Sequence, residues 1–179
     1  RLHCTQTSDS LGGSYNLRLR FFAESSGISI VGDRTTTESV PISCNSNDVV
    51  IDGSESENIE TGGNVELTKN SSLAGNISAG GSVILDKNSS VAGSIHSGGS
   101  VTIEGPGSAA VSGNICASGD IVIGKNVDVS GSVKSKSGSI TLGKNVNVGG
   151  AVVANETVTD NGSKVPGSRV NGNESNVNC

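Results

Sequence analysis

Four cysteines are the residues of this chain with the clearest capacity for covalent chemistry. They stand at Cys4, Cys44, Cys116 and Cys179, and no two of them form the Cys-x-x-Cys pair of a zinc knuckle or a thioredoxin-like site. An even number of cysteines without that pair favours disulfide bonds over a metal centre. Four cysteines allow three connectivities, and bonds between subunits are a further alternative.

Groups that could act in acid–base catalysis do not cluster in the sequence pattern. His96 falls at an outward position of one repeat, and no second histidine or acid repeats in its column. Asp86, Asp120 and Asp128 fall in different columns, whereas the acids of pectinolytic β-helix enzymes cluster in a cleft. We therefore predict no catalytic, cofactor-binding or metal-binding residues, and no enzymatic activity.

A stripe of lysines could hold an anionic polymer. Its members are Lys69, Lys87, Lys125 and Lys144. A column of asparagines follows directly, at Asn70, Asn88, Asn126 and Asn145. Ammonium groups about 4.8 Å apart repel by roughly 1 kcal/mol in water, a cost that flexible side chains reduce. We interpret the lysines as a solvated corner, and the asparagines as turn residues with a side-chain hydrogen-bond ladder.

The composition argues against a core of large aromatic rings and against a nucleic-acid partner. The 179 residues are 32% hydrophobic and 2% aromatic, and 26 of them are glycine. Tyr15, Phe21 and Phe22 are the only aromatic residues, so aliphatic side chains must pack everything that follows them. A net charge of -5 lacks the clustered cations that nucleic-acid binding requires.

An 18-residue repeat with small insertions runs through the chain from Gly62. Glycine fills its second position, at Gly63, Gly81, Gly99, Gly119 and Gly138. A second glycine column lies at Gly75, Gly93, Gly113, Gly131 and Gly150. Both columns suit corners, where the chain needs positive φ or a close approach to the next coil. Between the corners, aliphatic and polar residues alternate with the period of two that is typical of strands.

Four aliphatic columns continue unbroken across five coils and predict the core. The first two are Val65, Val83, Val101, Ile121, Ile140 and Leu67, Leu85, Ile103, Ile123, Leu142. The other two are Leu73, Val91, Val111, Val129, Val148 and Ile77, Ile95, Ile115, Val133, Val152. Roughly five buried aliphatic side chains per coil, at about 1.5–3 kcal/mol each, do not offset roughly 1–2 kcal/mol of backbone entropy for every ordered residue. Stacking of coils is therefore obligatory.

The pattern predicts an all-β fold, a single-stranded parallel β-helix that is triangular in section, with about 18 residues per coil. We expect residues 46–154 to form it, with residues 46–61 as a shortened first coil. Residues 1–45 are expected to form a helical or linker segment, and residues 155–179 a polar tail. The unpaired strand edge at each end of such a stack must be capped, or it will polymerise.

The stretch GGSVILDKNSSVAGSIHSGGSVTI has a Gly-x-Val-x-Leu/Ile then Val-x-Gly-x-Ile rhythm. In this rhythm the coils resemble those of the bactofilins and the wider polymer-forming cytoskeletal family. The resemblance implies a right-handed β-helix that associates end to end into non-polar filaments without a nucleotide.

The stretch LRLRFFAESSG at residues 17–27 resembles the segment that follows the membrane helix in minor-pilin-like proteins with a PilX-type N-terminus. The resemblance implies an exported protein whose cysteines form disulfides in an oxidising compartment. It also implies membrane contact only through a segment that is absent from this chain. Leu11, Tyr15, Leu19 and Phe22 fall on one face of a helix, so we also expect a short amphipathic N-terminal helix.

The positions of the cysteines along the repeat suggest how they pair. Cys116 falls at an outward position, where the tail that ends in Cys179 can reach its sulfur. Cys4 and Cys44 flank the N-terminal segment. We predict the pairs Cys4–Cys44 and Cys116–Cys179.

Three functions fit these features. The first, which we expect, is a structural subunit of a self-assembling filament or pilus-like fibre at the cell surface, with other copies and pilin-like subunits as partners. The second is a monomeric surface or pilus-tip binding module. The third is a cytoplasmic, membrane-associated scaffold like many bactofilins, which requires reduced cysteines.

Overall fold

Three parallel sheets wind along the chain as a β-solenoid of about six turns. The computed structural model describes residues 3–8, 17–22, 42–44, 48–105, 109–167 and 169–171. Nothing in these ranges is helical. The predicted all-β parallel solenoid is confirmed, while its right-handedness and triangular section stay predictions.

Short strands alternate with corners throughout the described chain. In chain order they are β1 (His3–Ser8), β2 (Leu17–Phe22), β3 (Ile42–Cys44), β4 (Val49–Asp52), β5 (Ser54–Glu55), β6 (Ile59–Thr61), β7 (Val65–Leu67), β8 (Ser72–Leu73), β9 (Ile77–Ala79), β10 (Val83–Leu85), β11 (Ser90–Val91), β12 (Ile95–Ser97), β13 (Val101–Ile103), β14 (Ala110–Val111), β15 (Ile115–Ala117), β16 (Ile121–Ile123), β17 (Asp128–Val129), β18 (Val133–Ser135), β19 (Ile140–Leu142), β20 (Asn147–Val148), β21 (Val152–Ala154), β22 (Val158–Asp160) and β23 (Arg169–Asn171). Sheet A has the order β2-β1-β4-β7-β10-β13-β16-β19-β22, sheet B β23-β21-β18-β15-β12-β9-β6-β3, and sheet C β20-β17-β14-β11-β8-β5.

The strand register places each predicted core column on one line through the solenoid. Val83, for example, pairs with Val65 on one side and with Val101 on the other. All members of the four aliphatic columns are buried. Two inner columns of smaller residues complete the filling, at Ser71, Ser89, Ala109, Val127, Val146 and at Thr61, Ala79, Ser97, Ala117, Ser135, Ala154. The shortened first coil is also present, with Val49, Ile51 and Ile59 in the core.

Close approach, and not positive φ, explains the glycine columns. A Cβ atom on Gly93 would lie 2.4 Å from the carbonyl oxygen of Gly75 in the preceding coil. Among the described glycines, positive φ occurs at Gly53 and Gly162, which belong to neither column. The glycines therefore let one coil lie against the next at strand spacing.

The asparagine column carries the positive φ instead. Asn70, Asn88, Asn126 and Asn145 have φ values of 65°, 61°, 58° and 59°. Asparagine tolerates this left-handed conformation better than most residues. The amide of Asn88 donates to Oδ1 of Asn70 at 3.1 Å, and that of Asn145 donates to Oδ1 of Asn126 at 3.1 Å. The turn role and the side-chain ladder predicted for this column are both confirmed.

The N-terminal segment contributes strands where the sequence predicted a helix. Leu17–Phe22 is strand β2, which pairs antiparallel with β1, and β1 pairs in parallel with β4. Leu11 and Tyr15 lie outside the described residues. The run from Leu17 to Phe21 also alternates apolar and charged residues with a period of two, and pairing with β1 selects that period because it satisfies the backbone hydrogen bonds.

The solenoid also continues past residue 154, where the sequence predicted a tail. Strand β22 pairs with β19, and strand β23 pairs with β21, so sheets A and B both gain a strand from this region. Sheet C gains only an isolated bridge between Asn147 and Lys164. The backbone pairing persists here with fewer aliphatic residues: Val158 takes the register position of Ile140, and Val158 and Val165 are partly buried against the core.

Candidate functional surfaces

The outer face of sheet B carries the histidine that the sequence singled out. His96 is exposed, and it shares its column with Ser78 and Glu60. A shallow depression of about 440 Å³ lies beside them and includes Thr61 and Ala79. Glu60 and His96 are two strands apart, roughly 10 Å, which is too far for direct proton exchange. Within the described ranges, no three His, Cys, Asp or Glu residues are grouped so that they could hold a metal ion.

Cys116 lies next to His96 in the same outward column, but it is not exposed. Its neighbours Ser78 and His96 are exposed, whereas Cys116 is 7% exposed and carries a disulfide bond. The outward position predicted from the repeat is correct as a register position, because Cys116 pairs with His96 and Lys134. The Cys116–Cys179 and Cys4–Cys44 pairs stay predictions.

The lysine stripe lies at the corner between sheets A and C. All four of its lysines are exposed. Gly105 interrupts the stripe between Lys87 and Lys125, because its backbone lies directly against that of Lys125. The residue before each lysine is a polar or acidic one in the early coils, Thr68 and Asp86, but glycine in the later ones, Gly124 and Gly143. The stripe is therefore two separate lysine pairs, of which only the later one lacks an adjacent acid.

The outer face of sheet A has an exposed aliphatic column that the sequence reasoning missed. Ile84 is 41% exposed and Val122 is 43% exposed, and among the described residues these are the large hydrophobic side chains that stand open to solvent. They belong to the column Glu66, Ile84, Thr102, Val122, Thr141 and Thr159. The sequence does contain a signal for this exposed column, since Ile84 and Val122 are the outward residues of Val-Ile-Leu and Ile-Val-Ile runs.

The last turn places polar residues where the earlier turns have core residues. Asp160 takes the register position of Leu142, and Arg169 takes that of Val152. Asn171 pairs with Ala154 in the same way. Asp160 is exposed and accepts hydrogen bonds from the backbone N–H groups of Gly162 and Ser163, at 3.0 and 2.7 Å. The last turn therefore keeps only part of the aliphatic filling, with Val158 and Val165 partly buried against the core.

Comparison with protein-family models, with curated proteins and with solved structures found no significant match. The chain is therefore classed by its fold alone, as a parallel β-solenoid. The bactofilin and pilin resemblances stay proposals. Within the part of the chain that the structure describes, no helix is long and apolar enough to cross a membrane.

Proposed function

We propose that the protein is a discrete, rod-shaped surface module that makes its contacts through the lateral faces of the solenoid. The observation that carries this proposal is the last turn, where Asp160 and Arg169 take register positions that belong to the core in every full turn. Asp160 is exposed, so stacking another chain on this end would take its carboxylate out of water at a register position that is aliphatic in the earlier turns. Charged residues on edge strands are a device by which natural sheets avoid edge-to-edge association.

The end of sheet C supports the same reading. After the bridge at Lys164, the chain continues into Val165 and Pro166. Proline has no backbone N–H, so it cannot donate to a further strand on that edge. A solenoid whose terminal turn resists extension on all three sheets is suited to stay a separate rod.

A filament subunit is the second candidate, and the opposite end of the molecule favours it. Strand β2 is the outermost strand of sheet A, and β3 is the outermost strand of sheet B. Strand β2 is six residues long, with Leu17, Leu19 and Phe21 alternating with other residues. A long edge strand with this composition can pair with another chain. End-to-end fibres would have to start from this end.

Both candidates place the protein outside the cytoplasm or at the cell surface. A disulfide at Cys116 fits an oxidising compartment, since cytosolic thiols are kept reduced. A cytoplasmic scaffold like many bactofilins is the alternative that this bond disfavours. We propose no catalytic activity and no cofactor.

Electron microscopy of the purified chain over a concentration series, without reductant, tests the proposal. We expect discrete particles at every concentration for the wild type. The double variant Asp160→Leu, Arg169→Ile restores aliphatic residues to the core register of the last turn, so we expect it to associate end to end. Thr159→Leu, which adds the same leucine at an exposed outward position, is the matched control and should stay discrete.

Long uniform fibres of the wild type would overturn the proposal and favour the filament subunit. Discrete particles of the double variant, with an unchanged circular dichroism spectrum, would show that the two charges do not block stacking. The last turn would then give no reason for the protein to stay as discrete particles.

The cysteine pairing gives a separate test of the compartment. Non-reducing peptide mapping by mass spectrometry is expected to find Cys116 linked to Cys179, and Cys4 linked to Cys44. The strand register supports the Cys4–Cys44 pair. Cys4 lies beside Val49 and Cys44 lies beside Thr61, and both of these neighbours belong to core columns. Free thiols at all four positions in protein isolated from its native host would favour the cytoplasmic scaffold.

A further inference from the structure

We propose that the outer face of sheet A binds a second copy of this chain, packed side by side and antiparallel. This inference rests on the proposed function, in which the lateral faces make the contacts, and it names one face and its partner. The face carries Ile84 and Val122, the two exposed large hydrophobic side chains of the described residues. They lie two strands apart in one column, with Thr102 between them.

The geometry of this column suits contact between two flat sheets. Its later members are β-branched residues with short side chains, namely Thr102, Val122, Thr141 and Thr159. Each sits on the strand next to its neighbour, at about 4.8 Å spacing. A second face of the same kind could approach closely along the whole row, because none of these side chains is long.

The charges of the solenoid are distributed unevenly along its axis. Residues 48–68 contain six acids and no lysine or arginine: Asp48, Asp52, Glu55, Glu57, Glu60 and Glu66. Residues 121–167 contain five lysines and three acids. Parallel side-by-side packing would bring acids against acids. Of these early acids, Asp52 and Glu66 lie on sheet A, and of these lysines, Lys125 and Lys144 lie at its edge, whereas the other early acids and lysines that stand in strands belong to sheets B and C. Antiparallel packing of sheet A brings the acids of the early turns toward these two lysines of the other copy.

The same complementarity occurs at the edge of sheet A. Asp86 and Glu104 occupy one column in the earlier turns, and Gly124 and Gly143 continue that column in the later turns. Lys125 and Lys144 follow these glycines directly and are exposed. Because the residue before each of these two lysines is glycine, no acid directly precedes either of them in the chain.

A two-fold axis parallel to the strands, between Thr102 and Val122, satisfies both patterns. It sets Glu104 opposite Gly124 of the second copy, next to its Lys125, and Asp86 opposite Gly143 of the second copy, next to its Lys144. It also sets Lys87 opposite Lys144 of the second copy, and Asp86, beside Lys87, offsets this like-charge contact. It also sets Thr102 against Val122 of the second copy, and Ile84 against Thr141 of the second copy. The interface is isologous, so each of these contacts is made twice.

The size of the face indicates how strong the dimer is. Six strands at about 4.8 Å and five residues at about 3.3 Å give roughly 450 Å² per copy, or roughly 900 Å² in total. Interfaces of this size are at the low end for specific complexes and are typical of weak, reversible association. We therefore expect a dimer that forms in a concentration-dependent and salt-dependent manner.

Sedimentation equilibrium of the full chain at low ionic strength tests the interface. We expect a monomer–dimer equilibrium that weakens as salt is added. Glu104→Lys alone and Lys125→Glu alone each turn two attractive pairs into repulsive ones, and each is expected to lower the association constant roughly tenfold. The double variant Glu104→Lys, Lys125→Glu restores opposite charges in both pairs, and we expect it to recover association. Glu60→Lys, an exposed charge reversal on sheet B, is the matched control and should change little.

A chain that stays monomeric up to millimolar concentration would overturn the dimer. A dimer that both single variants leave unchanged, or that the double variant fails to recover, would overturn this face and this orientation. The variants are at exposed positions, and their circular dichroism spectra should match the wild type. Since this experiment reports lateral pairing, its failure is separate from the appearance of end-to-end fibres, which would overturn the proposed function itself.

Discussion

Leu85→Asp is expected to unfold the solenoid, with a loss of more than about 4 kcal/mol in the free energy of unfolding. Leu85 is fully buried at 0% exposure, and it lies in register between Leu67 and Ile103. A carboxylate at this position loses its hydration and meets only aliphatic side chains. Since whole domains are stable by about 5–15 kcal/mol, most of the stability would be lost. Urea denaturation followed by far-ultraviolet circular dichroism measures the effect.

Ile84→Asp is the matched control for this prediction. Ile84 precedes Leu85 on the same strand, and it is 41% exposed on the outer face of sheet A. We expect a change within about 0.5 kcal/mol, because the new carboxylate stays in water. The measurement is made at a concentration at which the chain is monomeric, so that loss of lateral pairing does not contribute. Equal effects of the two substitutions would contradict the assignment of inner and outer positions.

Gly93→Val is expected to cost about 3 kcal/mol or more, because it separates two coils that lie in backbone contact. The first atom of the new side chain would lie 2.4 Å from the oxygen of Gly75 and 2.5 Å from Oδ1 of Asn76. The oxygen of Gly75 belongs to the backbone of the preceding coil, so it cannot move away unless that coil moves. Relief of the clash therefore requires the coils to move apart. A lower denaturation midpoint in urea with an unchanged slope would report this loss.

Ala92→Val introduces the same residue one position earlier, where the side chain is exposed. We expect its free energy of unfolding to stay within about 0.5 kcal/mol of the wild type. If Gly93→Val were equally mild, the glycine column would serve another purpose than close approach.

The repeat made the centre of this molecule predictable from sequence. Each coil supplies the same inward pattern, so a column such as Val65, Val83 and Val101 is supported by several independent members. The asparagine column was predictable for the same reason, and because asparagine has a known tolerance for left-handed φ. A repeated residue type at a repeated position carries more information than any single residue does.

The two ends could not be predicted in this way, because they break the pattern. Residues 158–160 and 169–171 pair with the preceding turn through backbone groups, which every residue has, and each segment has a single aliphatic residue, Val158 or Val170, which is too weak a signal to predict a strand. In the N-terminal segment, Leu19 and Phe22 fit a helical face, whereas Leu17, Leu19 and Phe21 fit a strand. The pairing with β1 decided between them, and sequence periodicity does not contain that pairing.

The alternation of residues that predicted the core did not predict the candidate surface on the outer face of sheet A. Alternation assigns Ile84 and Val122 to the outside, and isolated exposed aliphatic residues are ordinary. Only the register shows that they share a column with Thr102 between them. Likewise, the repeat places Cys116 at an outward position but indicates neither its low exposure nor its disulfide bond.

The corner between sheets C and B contains a hydrogen-bond chain that has a direction. Oδ1 of Asn58 accepts from the N–H of Asn76, Oδ1 of Asn76 accepts from that of Ser94, and Oγ of Ser94 accepts from that of Asn114. In each step the side chain of the earlier coil receives the backbone of the later one. Each folded coil thus presents side-chain acceptors to the backbone N–H groups of the coil that follows it. Coils can therefore be added in order while the chain is synthesised from its N-terminus. The row of side-chain acceptors ends at Ala151, which donates to Oγ of Ser132 but has no side-chain oxygen of its own, while backbone pairing continues to β23.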